Sequence, residues 1–219
     1  MFSKRARAVC VFGLAFLVLF STGLSQVVDC IVAEVNNQII TLTDIRILRV
    51  FAINAGGTGG ISPEPLQDIL ERAVNQKVVI SMVKENISVT SDEVKQRLNE
   101  TLERLAPEAR QKALAEFGLE EDDLSPYLEE KILYQKIIGL RFIQSANISL
   151  KEIETYYNEH DVPSETALGR EPKPMIQMLD ELEAMLRKEK VAGQVDSWIQ
   201  SLRDQSDIRI NNNCLGQAK

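Results

Sequence analysis

The chain has 219 residues, 25 of them Lys or Arg and 32 Asp or Glu, for a formal charge of −7. Hydrophobic residues make up 44% and charged ones 26%, a globular mixture that excludes a wholly disordered chain. The acidic balance and 5% aromatic content exclude the basic, ring-rich footprint of a nucleic-acid binder, and a single His leaves little for a metal site.

Residues 1–25 read as an export signal. Lys4, Arg5 and Arg7 form a positive n-region, Val9 to Phe20 an uncharged apolar run, and Gly23 and Ser25 the small residues a signal peptidase accepts. Cleavage after Ser25 is expected to leave Gln26 first, a retained anchor being the alternative. The apolar run is shorter than the ~20 residues of a spanning helix. Losing three basic residues leaves 22 against 32 acidic ones, a charge of −10. Cys10 departs with the signal. Cys30 and Cys214 remain as a candidate disulfide in an oxidising compartment, with two free thiols as the other reading.

Ile31–Val35, Asn36-Asn37 and Gln38–Thr41 read as a β-hairpin, because Asn tolerates the left-handed backbone of a tight turn. Thr43 or Thr41 caps a helix through Asp44, Ile45, Leu48 and Phe51. The Gly-rich run 55–60 lies between two helical patterns and reads as a flexible linker, not a phosphate cradle. Ser62-Pro63 opens the next helix, whose stripe is Leu66, Ile69, Leu70, Ala73, Val74, Lys77 and Val78. Thr90 and Glu93 form a capping box ahead of Val94, Leu98, Leu102 and Leu105.

Pro107 restarts a short helix that ends at Gly118, and Glu120 to about Ala146 reads as one long amphipathic helix. Ser149 and Glu152 form a second capping box ahead of Ile153, Tyr156 and Tyr157. The stretch 160–174 holds Pro163, Gly169, Pro172 and Pro174 and reads as a linker. A last helix follows from about Met175 to Gln205, about 45 Å long. Its stripe is Ile176, Leu179, Leu182, Leu186, Val191, Val195, Trp198/Ile199 and Leu202, and Met175, Met178 and Met185 read as ordinary core packing. Ile208-Arg209-Ile210 alternates as a strand does and is too short to stand alone. Pairing with the hairpin would bring Cys30 and Cys214 together. The expected fold is mainly α, with a small antiparallel sheet made by the N-terminal hairpin and the C-terminal strand.

Catalytic constellations do not emerge. There is no G-x-S-x-G elbow, Walker A loop or H-E-x-x-H, and His160, the only histidine, reads as solvent-exposed. The acidic run Glu120–Asp123 reads as helix-dipole complementation and Glu129-Glu130 as a solvated face. The sequons at Asn86, Asn99 and Asn147 matter only in a eukaryotic secretory pathway. The reading is therefore no catalytic, cofactor-binding or metal residue, and no cofactor.

The segment Cys30–Asp44 (CIVAEVNNQIITLTD) resembles the start of the SurA-type periplasmic chaperones, a hydrophobic hairpin followed by a helix opened by Asp. The likeness continues through Leu70–Lys77, Ile87–Val94, Phe117–Leu124 and Ile153–Tyr157, then resumes at Val195–Ile199 and Ile208–Ile210. In that family the N-terminal region and the last helix and strand form one chaperone core that holds unfolded outer-membrane proteins. Fuller members insert parvulin-type prolyl isomerase domains where this chain has only residues 160–174. The resemblance thus implies a chaperone core at 26–159, completed by 175–219, without isomerase activity. It implies a periplasmic location, no ATP, unfolded outer-membrane or exported polypeptides as partners, and no stable membrane span once the signal is cleaved. An envelope scaffold with one fixed partner is the alternative, and a divergent prolyl isomerase a lesser one. Which residues touch a client is not read from the sequence.

Overall fold

The computed structural model describes residues 29–54, 64–83, 86–143 and 146–216. The export signal, the Gly-rich run 55–60 and the Ser62-Pro63 helix start lie outside the described residues. The fold is mainly helical with one small three-stranded antiparallel sheet.

Strands β1 (Ile31–Val35) and β2 (Gln38–Thr41) form the expected hairpin. Asn36 and Asn37 take φ of 47° and 69° in its turn, the left-handed pair that matches the twist of two joined strands. Strand β3 (Ile208–Ile210) adds to the other side of β1, giving the order β2-β1-β3. Asn36 does more than turn the chain. Its Nδ2 donates to Ser81 Oγ at 2.8 Å, and its backbone N–H and Oδ1 bond Asp207 at 2.9 and 3.0 Å. The hairpin tip is thereby tied to a helix end and to the approach to β3.

Helix α1 (Leu42–Val50) starts at Thr41, whose hydroxyl caps the N–H of Asp44 while Asp44 returns a bond to the Thr41 N–H. Helix α2 (Leu66–Met82) lays its stripe of Ile69, Leu70, Ala73, Val74 and Val78 under the sheet. Helix α3 (Ser91–Glu103) carries the Thr90–Glu93 capping box. Helix α4 (Pro107–Phe117) stops at Gly118, with φ of 65°, where a residue without Cβ ends a helix at least cost. A 3₁₀ turn, Glu121–Leu124, leads into α5 (Ser125–Ile138) and then a π turn, Gly139–Ile143. The single long helix expected from Glu120 to Ala146 is thus three helical geometries in series. Pro126 explains its start, because a first-turn proline has no N–H to leave unpaired.

The main core joins the sheet to these helices through Val32, Val35, Ile45, Phe51, Leu70, Leu98, Leu124 and Leu128. A disulfide between Cys30 and Cys214, with Cα atoms 6.0 Å apart, links the residue just before β1 to the short helix α9 (Asn212–Leu215). Helix α6 (Leu150–Tyr156) begins at the Ser149–Glu152 capping box and passes through a π turn, Tyr157–Asp161, into α7 (Val162–Ala167). The stretch expected as a linker from His160 is therefore helical to Ala167. Pro163 sits in the first turn of α7, where the wide π turn ahead of it spares the chain the clash of an interior proline.

Helix α8 (Met175–Arg203) matches the expected last helix. Only its far half meets the body, where Ile199 packs with Val79 of α2 and Ile137 of α5 in a second small core. Trp198 adds a ring contact to Phe142 at 5.3 Å and lies under the Arg141 guanidinium at 4.7 Å. The near half of α8 packs on α6 instead. Of its expected stripe only Leu182 and Ile199 are buried, and Met175, Met178 and Met185 are not core residues. Ile176, at 74% exposure, has no core to enter.

Candidate functional site

Helix α6 and the near half of α8 run antiparallel as a helical arm. Glu152 pairs with Lys190 at 2.8 Å, and four residues later along α6 the Tyr156 hydroxyl faces Met185 Sδ, five residues earlier along α8, at 3.8 Å. The Tyr157 hydroxyl also donates to the Lys173 carbonyl at 2.6 Å, fixing the turn into α8. Ile153 and Leu182 are the arm's buried large side chains, and neither belongs to the two cores of the body. Their contribution is local.

Between α6 and α8 lies an open cleft of about 690 Å³. Ile148, Tyr156 and Leu186 give it apolar surface, while Lys151, Glu159 and Glu189 stand among its lining residues. His160 also lines it, solvent-exposed as expected and stacked on Tyr156 at 4.5 Å. Hydrogen bonds from Lys190 and from Ser149 hold the Glu152 carboxyl down at about 2, so the ion pair persists through neutral pH. Seven large apolar side chains are exposed among the described residues, and five of them fall between 140 and 185: Leu140, Leu150, Leu168, Ile176 and Met185. Leu150, Ile176 and Met185 lie on the arm and Leu168 ends α7, while the body exposes Leu140, Ile31 and Ile39.

A second cleft, of about 530 Å³, opens in the body beside β2. Ile39 and Ile40 of β2 line it, together with Leu48, Asn54, Gln76 and Tyr127. The Tyr127 hydroxyl donates to Asp44 Oδ1 at 2.7 Å, and burial with that carboxylate pushes its ionisation well above the usual tyrosine range. Lys77 pairs with Glu130 across the same cleft at 2.5 Å, so one of the two glutamates expected on a solvated face is engaged between helices. Lys136 bridges α5 to the α3 cap through Glu93 at 2.7 Å and holds that carboxyl down at about 2.

Neither cleft carries a metal arrangement: among the described residues no three His, Cys, Asp or Glu side chains cluster to hold an ion. Among the same residues no helix is long and apolar enough to cross a membrane. The Glu120–Asp123 run closes on itself, Asp123 accepting from the Glu120 N–H at 2.8 Å. Sequence reasoning missed both clefts. They are made by residues far apart in the chain, and no local motif marks them.

No family model matches the chain, and no curated protein matches it.

Proposed function

We propose that the protein is an ATP-independent chaperone of the SurA type, lacking an isomerase domain, that holds unfolded outer-membrane or exported polypeptides in the periplasm. The observation that carries this reading is the arm. It presents an open cleft of about 690 Å³ and, in Leu150, Ile176 and Met185, three of the seven exposed large apolar side chains, on helices whose own core is small. Apolar contact is non-directional, so such a surface suits clients that share hydrophobicity but no sequence. A disulfide-closed body would keep the arm's base fixed while the arm adapts. An acidic chain keeps its apolar surface in solution, since net charge opposes self-association. With no catalytic constellation in the sequence, the proposed activity is holding, not turnover.

The test is light scattering of a denatured outer-membrane β-barrel protein diluted with and without a stoichiometric amount of this protein, at low salt and at 1 M. Suppression should persist at high salt, where the screening length falls to about 3 Å and charge-driven binding weakens. No suppression at either salt rejects the chaperone reading and favours a scaffold with one fixed partner, which crosslinking would reveal as a single stoichiometric species.

A further inference from the structure

The cleft beside β2 has unmet hydrogen-bonding capacity of one particular kind. Asn54 is 1% exposed, and neither its Nδ2 nor its Oδ1 has a hydrogen-bond partner. Its backbone carbonyl is held by Arg72 Nε at 2.7 Å, so the residue is fixed while its carboxamide is idle. Buried amides are nearly always paired, and one left with both donor and acceptor open needs a group offering both in return. A peptide group or another carboxamide is such a group. Gln76, a second buried carboxamide, lines the same cleft from α2.

The sheet supplies an independent pointer to the same ligand. Strand β2 is an edge strand. Val35 and Gln38 close the two-residue turn as a hydrogen-bonded pair, so the next pair, Glu34 and Ile39, is a non-bonded one. The register with β3 agrees, Glu34 facing Arg209 there with Asn36 and Asn211 bonding on the same side. The N–H and C=O of Ile39 therefore point out from the sheet edge. Ile39 and Ile40, neighbours on opposite faces of the strand, both line the cleft, so it runs along that edge. The next outward N–H, that of Thr41, is already taken by Asp44 Oδ2 at 2.8 Å.

We propose that this cleft receives an extended polypeptide segment, which pairs with the outward backbone of Ile39 and presents a peptide or side-chain carboxamide to Asn54. The Asn54 amide is out of reach of water in the empty cleft, so entry requires a wall side chain to turn aside. Ile39, 54% exposed at the edge, is a lining side chain free to do so. Apolar side chains of the segment would lie on Ile40 and Leu48. The site deepens the chaperone reading by adding a backbone-directed grip, distinct from the arm, that reads extended conformation.

The experiment is a titration of the ¹⁵N-labelled protein with an acetylated and amidated heptapeptide that alternates valine and threonine around a central glutamine. The expected result is saturable shifts in the Ile39 backbone amide and the Asn54 side-chain NH₂. A peptide with alternate backbone nitrogens methylated should bind about tenfold more weakly, having lost its edge pairing. Asn54→Leu should weaken binding about tenfold while raising thermal stability, because it removes an unpaired amide. Ile39→Pro, which removes an outward N–H that an edge strand can spare, should weaken binding similarly. No shift at Ile39 and Asn54, or full affinity in both variants, overturns the proposal. An Asn54 NH₂ that exchanges magnetisation with a bound water and ignores the peptide overturns it too. Scattering on the same samples separates the two readings: suppression without these shifts leaves the arm standing and removes this site. Shifts without suppression do the reverse.

Discussion

Replacing Leu182 with alanine tests whether the arm is held by its own small core. Leu182 is 2% exposed and Ile153 3%, and both lie outside the two cores of the body. Truncating a buried leucine costs about 3 kcal/mol, the lost transfer energy plus the cavity left behind. The arm's other inter-helix ties are the Glu152–Lys190 ion pair, exposed and weakened by solvent screening, and the 3.8 Å contact of Tyr156 with Met185. The loss therefore exceeds what the remaining arm contacts can offset, and the arm should open without the body. Hydrogen exchange read by mass spectrometry should show amides of 150–156 and 175–190 exchanging about a hundredfold faster, as about 3 kcal/mol of local opening energy implies. Amides of β1 and α2 should not change. Equal acceleration in the body would refute the reasoning, since arm and body would then open as one unit. Unchanged exchange in the arm would show that Leu182 does not hold it.

Three further outcomes follow from the same geometry. Glu152, held at about 2 against an ordinary 4.5, contributes stability that is fully present above 4.5 and lost as pH falls toward 2. Arm exchange at constant intrinsic rate should accelerate across that window, and Lys190→Met should raise the Glu152 titration seen by NMR. The pair Cys30→Ser and Cys214→Ser opens a link spanning 184 residues of sequence, which chain entropy values at up to roughly 5 kcal/mol. Calorimetry should show a melting temperature lower by about 10 °C, and mass spectrometry of the unreduced wild type no free thiol at either position. Asn36→Gly keeps the left-handed turn but loses the side-chain bonds to Ser81 and Asp207. Denaturant unfolding should show a loss of about 2 kcal/mol, and an unchanged midpoint would mean those bonds do not hold the tip.

Local chemistry made much of the fold legible. Asn-Asn between two apolar runs announces the hairpin, and Thr90-x-x-Glu93 and Ser149-x-x-Glu152 announce helix starts, because each pattern satisfies backbone groups within a few residues. Proline misled where its position was everything. Pro163 was expected within a linker, yet it occupies a first helical turn behind a π turn, and spacing alone does not reveal that wider geometry. The stripe of α8 misled for another reason. Periodicity shows that a face is apolar, not that something covers it, and Ile176 lies where nothing does. The cleft beside β2 left no trace in the sequence, since Asn54, Gln76 and Ile39 meet only once a turn, a helix and a strand edge are packed.

The arm's holding activity is tested most directly by combining Leu150→Ser, Leu168→Ser and Ile176→Ser and repeating the scattering assay. These side chains are 61%, 62% and 74% exposed, so the fold and its melting temperature should be unaffected. The predicted result is a loss of most of the suppression at equal protein concentration, at both low and high salt. Full suppression by the triple variant, with its melting temperature unchanged, would contradict the assignment of client holding to the arm.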